Sequence, residues 1–280
     1  MWRIFLRVFR RRLIKLKGMF KRRLGHTPLA LVTGGSSGMG LEYCRALAGA
    51  GCDLLIVSIE KEKLPLVSVQ IASEFGVKAE GIYMDLARVD AADELYSYCR
   101  KQGFEVDILI NDAGVFFFKE LGLENIGKME MMMLLHNLTP AKLSILFGED
   151  MKKRGCGYIL NMSSVAASLP FPGITTYAAT KAFLKSFGKA LYYEMKPYGV
   201  RVCTMCPGAV ATPLYKLKPS LMKIGVGIGI IKRPSTIVRR GLRGMYRGRR
   251  VVNPSLMSYY LPPLFSILPK PVISAIWKRL

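Results

Sequence analysis

Acidic residues are absent from both ends of this 280-residue chain. Residues 1–41 contain ten Lys and Arg but no Asp or Glu, and residues 195–280 contain sixteen basic residues and no acidic ones. The region between them, 42–194, is close to neutral, so the net charge of +23 resides in the two ends. This separation predicts an ordinary globular core flanked by segments that contact an anionic surface.

Cysteine and histidine are scarce, which argues against two classes of site. The six cysteines lie mostly in apolar runs and lack the dense spacing of a secreted disulfide scaffold. Cys203 and Cys206 have the spacing of a redox or metal pair, but no second Cys/His pair lies near their Val-rich strand pattern. We expect buried reduced thiols, no metal and a cytosol-facing location. His26 and His136 are isolated and are interpreted as non-catalytic.

The first 26 residues lack the apolar run of about seven or more residues that a secretory signal needs, and they are too polar to span a bilayer. Large apolar residues instead recur at helical spacing, with basic residues around most of the remaining circumference. The apolar stripe consists of Trp2, Phe5, Leu6, Phe9, Leu13, Leu16, Phe20 and Leu24. Residues 1–26 are therefore predicted to form an amphipathic helix on an anionic membrane surface. Packing against the domain or a partner is the alternative, and nucleic acid is not expected as a partner.

No internal repeat or linker divides residues 27–253, which we interpret as one domain. Short β-branched runs alternate with longer helical stretches, as in a parallel sheet wrapped by helices. Strands are predicted at 29–33, 53–58, 77–84, 106–110, 157–162 and 200–206. One helix is predicted to begin near Gly38, and a second, after the second strand, is predicted to end at about Phe75. Three more helices are predicted over 90–101, 126–153 and 175–195. The fold class is α/β, with one doubly wound parallel sheet and helices on both faces.

The composition changes after Pro213. Residues 214–234 form a predicted flap, whose apolar part is interrupted by Gly225, Gly227 and Gly229. A basic helix is predicted over 236–246. Residues 254–280 form an apolar, proline-rich extension that is predicted either to associate with lipid or to close over the domain as a helix pair.

Tyr177 and Lys181 point most directly to chemistry. Residues i and i+4 share a helix face, so the Lys181 ammonium can lie beside the Tyr177 phenol. Because a neighbouring cation lowers the pKa of a tyrosine, the pair has the properties of a tuned general acid/base.

A glycine-rich turn follows the first predicted strand and begins a helix. Its spacing is Gly-x-x-x-Gly-x-Gly at Gly34, Gly38 and Gly40. Glycines there allow a pyrophosphate to approach the backbone amides of a helix N-terminus. Together with the Tyr-x-x-x-Lys pair, this turn resembles the short-chain dehydrogenase/reductase family over roughly residues 28–213.

The resemblance implies a Rossmann-like fold and a set of site residues. Ser164, thirteen residues before Tyr177, matches the catalytic serine in preference to Ser163, and the implied catalytic set is Asn137, Ser164, Tyr177 and Lys181. The implied cofactor-binding set also contains Tyr177 and Lys181, together with Thr33, Gly34, Ser36, Ser37, Gly38, Met39, Gly40, Ser58, Asp85, Asn111, Ala113, Gly114, Pro207, Gly208, Val210 and Thr212. Asp112 departs from the asparagine that the family usually has there, a change that bears on loop geometry more than on chemistry.

The implied reaction is hydride transfer to a carbonyl carbon. Ser164 and Tyr177 bind the carbonyl oxygen, Tyr177 donates a proton, and Lys181 keeps the tyrosine acidic and holds the nicotinamide ribose. Asn137 orders a water by family analogy. Ser58 stands where an NAD-type acid is expected, and Lys61 and Lys63 follow, which favours NADP and leaves NAD open.

The fold does not identify the substrate. The apolar flap, the apolar residues 169–171 and the two membrane-seeking ends favour a lipophilic ketone, such as 3-ketosphinganine or a 3-ketoacyl-CoA. We expect a peripheral or monotopic enzyme on the cytoplasmic face of a membrane. A hydroxysteroid dehydrogenase is the first alternative, and a non-catalytic nucleotide-binding scaffold with basic binding ends is the second. The family commonly pairs through the helices near Asn137 and Tyr177, which leaves a homodimer open.

Overall fold

The β-branched and leucine-rich runs of the sequence form seven strands in the computed structural model. They are β1 (Leu29–Thr33), β2 (Asp53–Ser58), β3 (Ala79–Tyr83), β4 (Ile108–Asn111), β5 (Gly157–Met162), β6 (Val200–Met205) and β7 (Val251–Val252). All pair in parallel, in the order β3-β2-β1-β4-β5-β6-β7. From β1 the strand order runs outward in one direction through β2 and β3, and in the other direction from β4 onward. A crevice therefore opens between β1 and β4 at their carboxyl ends. The predicted doubly wound, Rossmann-like fold is confirmed.

The structure describes residues 18–169, 171–212, 226–227 and 231–255, together with 260, 263, 271 and 273. The principal helices of this part are α1 (Met19–Leu24), α2 (Gly38–Ala48), α3 (Lys63–Phe75), α4 (Ala91–Lys101), α5 (Ile126–Met133), α6 (Thr139–Arg154), α7 (Thr175–Met195) and α8 (Pro234–Tyr246). Short 3₁₀ turns cover Leu123–Asn125, Val165–Ser168 and Lys196–Tyr198. A π-helical turn, Leu134–Leu138, joins α5 to α6, so the single helix predicted over 126–153 has an irregular centre.

One hydrophobic core lies on each face of the sheet. Because successive strand residues point to opposite faces, Val32 enters one core and Leu31 enters the other. The first core contains Tyr43 of α2 and Leu242 of α8. The second contains side chains of α4, α6 and α7, including Phe147. The prediction of helices on both faces is therefore confirmed.

Three predicted strands differ from the observed ones at their ends. The strand predicted at 77–84 covers Ala79–Tyr83, the one at 106–110 covers Ile108–Asn111, and the one at 200–206 ends at Met205. β3 is an edge strand whose Glu80 and Tyr83 are exposed, so apolar character does not mark its limits. β7 is absent from the prediction because two residues are too short for a recognisable pattern.

The amphipathic stripe predicted over residues 1–26 is interrupted at Gly18. Gly18 has a left-handed backbone (φ +68°), which favours glycine, and α1 begins at the next residue. Phe20 is fully buried and packs edge-on against Tyr158 and Tyr246, with ring centroids 5.0 and 5.7 Å apart. Its assignment to a membrane-facing stripe is wrong, and α1 packs on the protein's own domain. The packed domain therefore includes Met19–Leu24, which lies before the predicted boundary at residue 26.

Residues 1–17, most of the predicted flap at 214–234 and most of the extension at 254–280 lie outside the described residues. A parallel bridge between Val210 and Lys232 closes the base of the flap. Among the helices that the structure describes, none combines the length and the apolar character needed to cross a bilayer.

Replacing Phe20 with alanine tests whether α1 belongs to the core. Because the ring is fully buried between two tyrosines, we expect Phe20→Ala to lower the free energy of unfolding by about 3–5 kcal/mol. Leu66→Ala, at a side chain that is 72% exposed on α3, is the control and should change it by less than about 0.5 kcal/mol. Equal denaturant midpoints for the two variants would show that Phe20 does not pack in the core.

Candidate active site

The hydroxyl of Thr33 ties together the two strands that flank the crevice. Thr33 Oγ1 donates to the carbonyl of Ile110 (3.3 Å) and accepts the amides of Asp112 (3.0 Å) and Ala113 (3.1 Å). These bonds hold the loop after β4 against the end of β1. Thr33 therefore shapes the predicted cofactor cleft with its side chain fully occupied in the protein.

The glycine turn fits a pyrophosphate because no side chain can be added to it. A Cβ at Gly34, where φ is +71°, would lie 2.9 Å from the Cα of Ala113, and one at Gly40 would lie 2.1 Å from the carbonyl oxygen of Gly34. Ser37 is the exposed, extended residue before α2, so the first amides of α2 face the turn. Thr212, which follows β6 and is distant in sequence, lies close to Gly38: a Cβ added there would be 3.9 Å from the Cβ of Thr212. Such a cradle of amides at a helix N-terminus suits a dinucleotide.

The end of β2 carries a carboxylate that the sequence analysis does not place in the site. The hydroxyls of Ser36 and Ser58 lie 2.6 Å apart, and Ser36 Oγ donates to Glu60 Oε2 at 2.5 Å. Lys63 also bonds Glu60, and both bonds lower the pKa of that carboxyl. Ser58 and Glu60 therefore both reach the glycine turn, and a carboxylate joins the expected Ser58 there. The spacing of residues along the sequence does not predict the hydrogen bond between Ser36 and Glu60.

The loops after β3 and β4 have different roles. Asp85 is exposed after β3, and its carboxylate accepts the amide of Ala87 (2.9 Å). The side chain of Asn111 is buried, and its amide nitrogen donates to Asn161 Oδ1 (2.7 Å), Ser144 Oγ (3.1 Å) and the carbonyl of Pro140 (3.3 Å). Asn111 therefore joins β4, β5 and α6 through its side chain.

The structure distinguishes the two serines at the end of β5. The hydroxyl of Ser163 donates to the carbonyl of Lys181 (2.7 Å) and is thereby used in packing α7. Ser164 Oγ instead accepts the amide of Ala166 (3.1 Å), which caps the following 3₁₀ turn. Within the described part of the chain no acceptor takes the proton of Ser164, so it is available to a carbonyl oxygen.

Tyr177 and Lys181 lie on the buried face of α7. Lys181 Nζ donates to the carbonyl of Met162 (3.0 Å) and lies 5.7 Å from the ring centroid of Tyr177. The ring of Tyr177 meets Phe116 edge-on at 5.0 Å and His136 at 5.9 Å. The predicted helix face is confirmed, and the two aromatic contacts hold the phenol in one orientation.

Asp112, which is half-buried, and the buried Lys181 interact electrostatically. Burial raises the pKa of Asp112 to about 7 and lowers the pKa of Lys181 to about 8, and each charge partly offsets the shift of the other. The amide of Gly40 also favours the Asp112 carboxylate. The departure from asparagine at this position therefore places an anion behind the reactive lysine, which is an electrostatic change as well as a geometric one.

Asn137 lies in the π-helical turn between α5 and α6. Its Oδ1 is buried and has no hydrogen-bond partner among the described residues. Because π turns in helices often occur at functional sites, this position suits the role that the family resemblance implies. The catalytic role of Asn137 stays a prediction.

The remaining predicted cofactor residues are distributed around the crevice. The carbonyl of Pro207 accepts the amide of Val165 (2.8 Å), which couples the segment after β6 to the Ser164 turn. A Cβ at Gly208 would lie 3.2 Å from Ser255 Oγ, and one at Gly114 would lie 2.9 Å from His136 Nε2. Met39 is half-buried in α2, and Val210 is buried at the base of the flap. His136, interpreted as non-catalytic from the sequence, is thus in contact with the site.

An apolar groove of about 800 Å³ adjoins the reactive residues. Its wall comes mainly from small side chains beside Ser164 and Tyr177, namely Ala166, Ala167, Ala178, Ala179 and Ala182. It shares Glu120, Leu121 and Thr175 with a smaller cavity that reaches Tyr177 itself. Such a groove can accept a bulky apolar group next to the phenol.

Cys203 and Cys206 are buried and free, as predicted. Burial raises the pKa of the Cys203 thiol to about 12. Thiols in such surroundings are inert, because the thiolate is the reactive form.

Comparison with known proteins adds a family and two kinds of relative. Residues 28–220 match the family model described as short chain dehydrogenase. The chain is 31% identical over 247 residues to the very-long-chain 3-oxoacyl-CoA reductase of Anas platyrhynchos, covering 86% of this chain and 75% of that protein. It is 30% identical over 203 residues to the 17-beta-hydroxysteroid dehydrogenase type 3 of Mus musculus, covering 72% of this chain and 65% of that one.

A solved structure resembles the whole fold. The short-chain dehydrogenase from Sphingobium yanoikuyae in complex with NADPH superposes with a TM-score of 0.73 at 26% identity. The match covers 87% of this chain and 97% of that structure. The curated relatives extend further, because the chain spans only about two thirds to three quarters of their length.

Replacing Asp112 with asparagine tests its interaction with Lys181. Loss of the carboxylate should lower the pKa of Lys181 further, so the ammonium deprotonates at a lower pH. We expect the alkaline limb of kcat/KM for ketone reduction to move down by about one pH unit, the lower end of the effect of a nearby opposite charge. Asp107→Asn, which removes a buried carboxylate at the other end of β4, should leave the limb in place. An unchanged limb in Asp112→Asn would show that the carboxylate does not act on Lys181.

Proposed function

Because this chain belongs to the short chain dehydrogenase family, we propose that it uses NADPH to reduce a lipophilic ketone to a secondary alcohol. One observation carries the proposal. Lys181 lies beside Tyr177 and bonds the carbonyl of Met162 at the end of β5, two residues before Ser164. The apolar groove is lined by Ala166 and Ala178, which are close in sequence to Ser164 and Tyr177. The site thus combines a proton donor, a dinucleotide cradle and room for an apolar substrate.

The residues of the chain perform the acid–base part of the reaction. The Ser164 and Tyr177 hydroxyls bind the carbonyl oxygen, where negative charge develops. Tyr177 then donates its proton to that oxygen, and the Lys181 charge stabilises the phenolate that is left. Asp112 keeps a compensating charge behind Lys181. The bound dinucleotide supplies the hydride, and the reverse reaction uses Tyr177 as the base.

NADPH is the favoured cofactor. Lys61 and Lys63 follow the end of β2, where a 2′-phosphate is recognised in this fold. The Sphingobium yanoikuyae structure holds NADPH in a similar fold. Glu60 lies at the same strand end and pairs with Lys63, so Lys61 is the cation left to meet the phosphate. A carboxylate in this place keeps NAD open.

A long-chain 3-ketoacyl-CoA or 3-ketosphinganine is the favoured substrate class. The alanine-lined groove offers an apolar surface, and the smaller cavity that shares residues with it reaches Tyr177. The name of the Anas platyrhynchos relative supports an acyl-CoA substrate, and that of the Mus musculus relative supports the steroid alternative. Both compounds carry a ketone on a large apolar framework, so only measured turnover separates them.

We also propose that the acid-free ends hold the enzyme on the cytoplasmic face of an anionic membrane, as a peripheral or monotopic protein. The described parts of both ends contribute to the core on one face of the sheet. Gly18, where the N-terminal segment enters, donates to the carbonyl of Ala50 (3.1 Å) after α2, and α8 packs on the same helix. Arg240 and Arg247 of this region are exposed.

A homodimer through α6 and α7 is consistent with exposed Ile145 and Phe183, and the mass in solution decides it.

Turnover by the full chain tests the reaction. Wild type and Tyr177→Phe are assayed for NADPH oxidation with short- and long-chain 3-ketoacyl-CoA, 3-ketosphinganine and a ketosteroid. We expect wild type to favour the long-chain compounds and Tyr177→Phe to lose about 10²–10⁴-fold in kcat. NADPH affinity, measured by fluorescence titration, should be retained because the pyrophosphate cradle is untouched.

Tyr193→Phe is the matched control, since Tyr193 lies on the same helix and is 59% exposed. It should keep wild-type turnover. Preference for the ketosteroid would select the hydroxysteroid alternative. Equal NADPH oxidation by wild type and Tyr177→Phe would instead favour the non-catalytic scaffold.

Vesicle binding tests the membrane proposal. The full chain should bind vesicles that contain phosphatidylserine and leave them as salt rises, because screening weakens its contact with anionic lipid. Replacing Arg7, Arg10 and Arg11 with serine should weaken binding roughly a hundredfold, at about 1 kcal/mol per cation.

The matched control replaces Lys78, Lys101 and Lys128, three exposed cations of the charge-balanced middle region. This variant should bind vesicles like wild type. Equal losses in the two triple variants would reduce the effect to net charge, and tighter binding to DNA than to vesicles would contradict the proposal.

A further inference from the structure

His136 is buried at the centre of the site, and its hydrogen bonds define its tautomer. Nδ1 lies 3.0 Å from Thr180 Oγ1, and that hydroxyl donates its single proton to the carbonyl of Tyr177 (2.9 Å). Thr180 can therefore only accept from His136, so Nδ1 carries the hydrogen. Nε2 accepts the amide of Val115 at 3.0 Å. His136 is thus a neutral imidazole with both nitrogens used.

These bonds join three elements that carry predicted site residues. His136 is in the π-helical turn that also holds Asn137. Through Thr180 it reaches the backbone of Tyr177, and its ring also meets the Tyr177 ring edge-on. Through Nε2 it reaches the loop after β4, where Gly114 has no room for a Cβ.

The charges around His136 oppose its protonation. Tyr177, whose ring meets the imidazole, and Lys181, which lines the same cavity, are the titratable groups of α7 that lie beside it. Burial and the Lys181 ammonium hold the pKa of His136 well below its usual range. His136 and Lys181 also line one cavity of about 10 Å³, close to the volume that one water needs.

We infer that His136 is a positioning residue which, as a neutral acceptor, fixes the Val115 loop against the Tyr177 helix and so preforms the nicotinamide end of the cofactor cleft. The inference rests on the proposed function for its consequence, because the loop after β4 borders that cleft. A proton on Nε2 would face the Val115 amide donor to donor and break this link. We call the two hydrogen bonds of His136, to Val115 and to Thr180, the clamp. The clamp requires a hydrogen-bond acceptor at the Nε2 position, so a side chain of similar size that lacks this acceptor cannot replace His136.

Two substitutions separate the acceptor from the donor. The amide of glutamine can present an oxygen near the position of Nε2, whereas that of asparagine can present its nitrogen near the position of Nδ1. His136→Gln therefore keeps the acceptor for Val115, and His136→Asn keeps only the donor to Thr180. His26→Gln, at the other histidine of the chain, which is half-exposed, is the control.

The first readout is amide hydrogen exchange of the peptide that contains Val115, measured by mass spectrometry on the full chain. We expect exchange to rise about 10-fold in His136→Asn, since the buried amide loses its acceptor. It should stay within about twofold of wild type in His136→Gln and His26→Gln. The second readout is NADPH affinity by fluorescence titration, which should weaken about 5- to 10-fold in His136→Asn only.

The outcomes separate this inference from the proposed function. Equal exchange in the Gln and Asn variants, or equal loss of thermal stability without any difference in exchange, would overturn the clamp and reduce His136 to a packing residue. A wild-type chain that does not bind NADPH contradicts the proposed function, while exchange at Val115 still tests the clamp. Protection of Val115 that persists in His136→Asn overturns it whether or not NADPH binds.

Discussion

The contact between the ends of β1 and β4 is the constraint on which the rest of the site depends. The order of the strands reverses there, and three hydrogen bonds of one hydroxyl, Thr33 Oγ1, keep the two ends together. Gly34 lies directly against Ala113, so neither backbone can move without the other. The pyrophosphate cradle and the loop that carries Asp112 are therefore parts of one rigid unit. A change in either strand end would displace both the cofactor and the charge behind Lys181.

The second determinant is the burial of Lys181. An ammonium in an apolar interior is costly unless it is paired and hydrogen-bonded. The carbonyl of Met162 supplies a hydrogen bond, and Asp112 supplies a charge. The carboxylate of Asp112 is in turn unfavourable by itself, as its raised pKa shows. Each charge partly offsets the cost of burying the other, so the aspartate that departs from the family pattern counteracts the lowering of the Lys181 pKa.

Features set by local pattern could be predicted from the sequence, and features set by distant contacts could not. β1, β2, β5 and α7 have the predicted bounds because turn residues delimit their apolar runs. The face shared by Tyr177 and Lys181 follows from helical spacing alone. The stripe through Phe20, however, has the same periodicity whether it faces lipid or a core, and only the left-handed Gly18 redirects it.

His136 and Glu60 show the same limit at the site. The partners of His136 lie 21 and 44 residues away, at separations that no motif fixes. The bond from Ser36 to Glu60 depends on how the chain turns after β2. The predicted catalytic set of Asn137, Ser164, Tyr177 and Lys181 rests on a recurring spacing, and its role stays a prediction. The groups that tune it are specific to this chain and had to be located in space.

The position of α8 connects the basic surface to the chemistry. Gly241 allows α8 to approach α2 so closely that a Cβ there would lie 2.7 Å from the Tyr43 hydroxyl. α2 begins at the glycine turn, and α1 packs in the same core through Phe20. α8 is thus packed on the helix that is proposed to bind the pyrophosphate, and α1 belongs to the same core. Under the proposed membrane association, lipid contact through the acid-free ends would fix the orientation of the cofactor helix, and hence of Tyr177, relative to the bilayer. An enzyme held in this way would meet an apolar ketone from a constant direction.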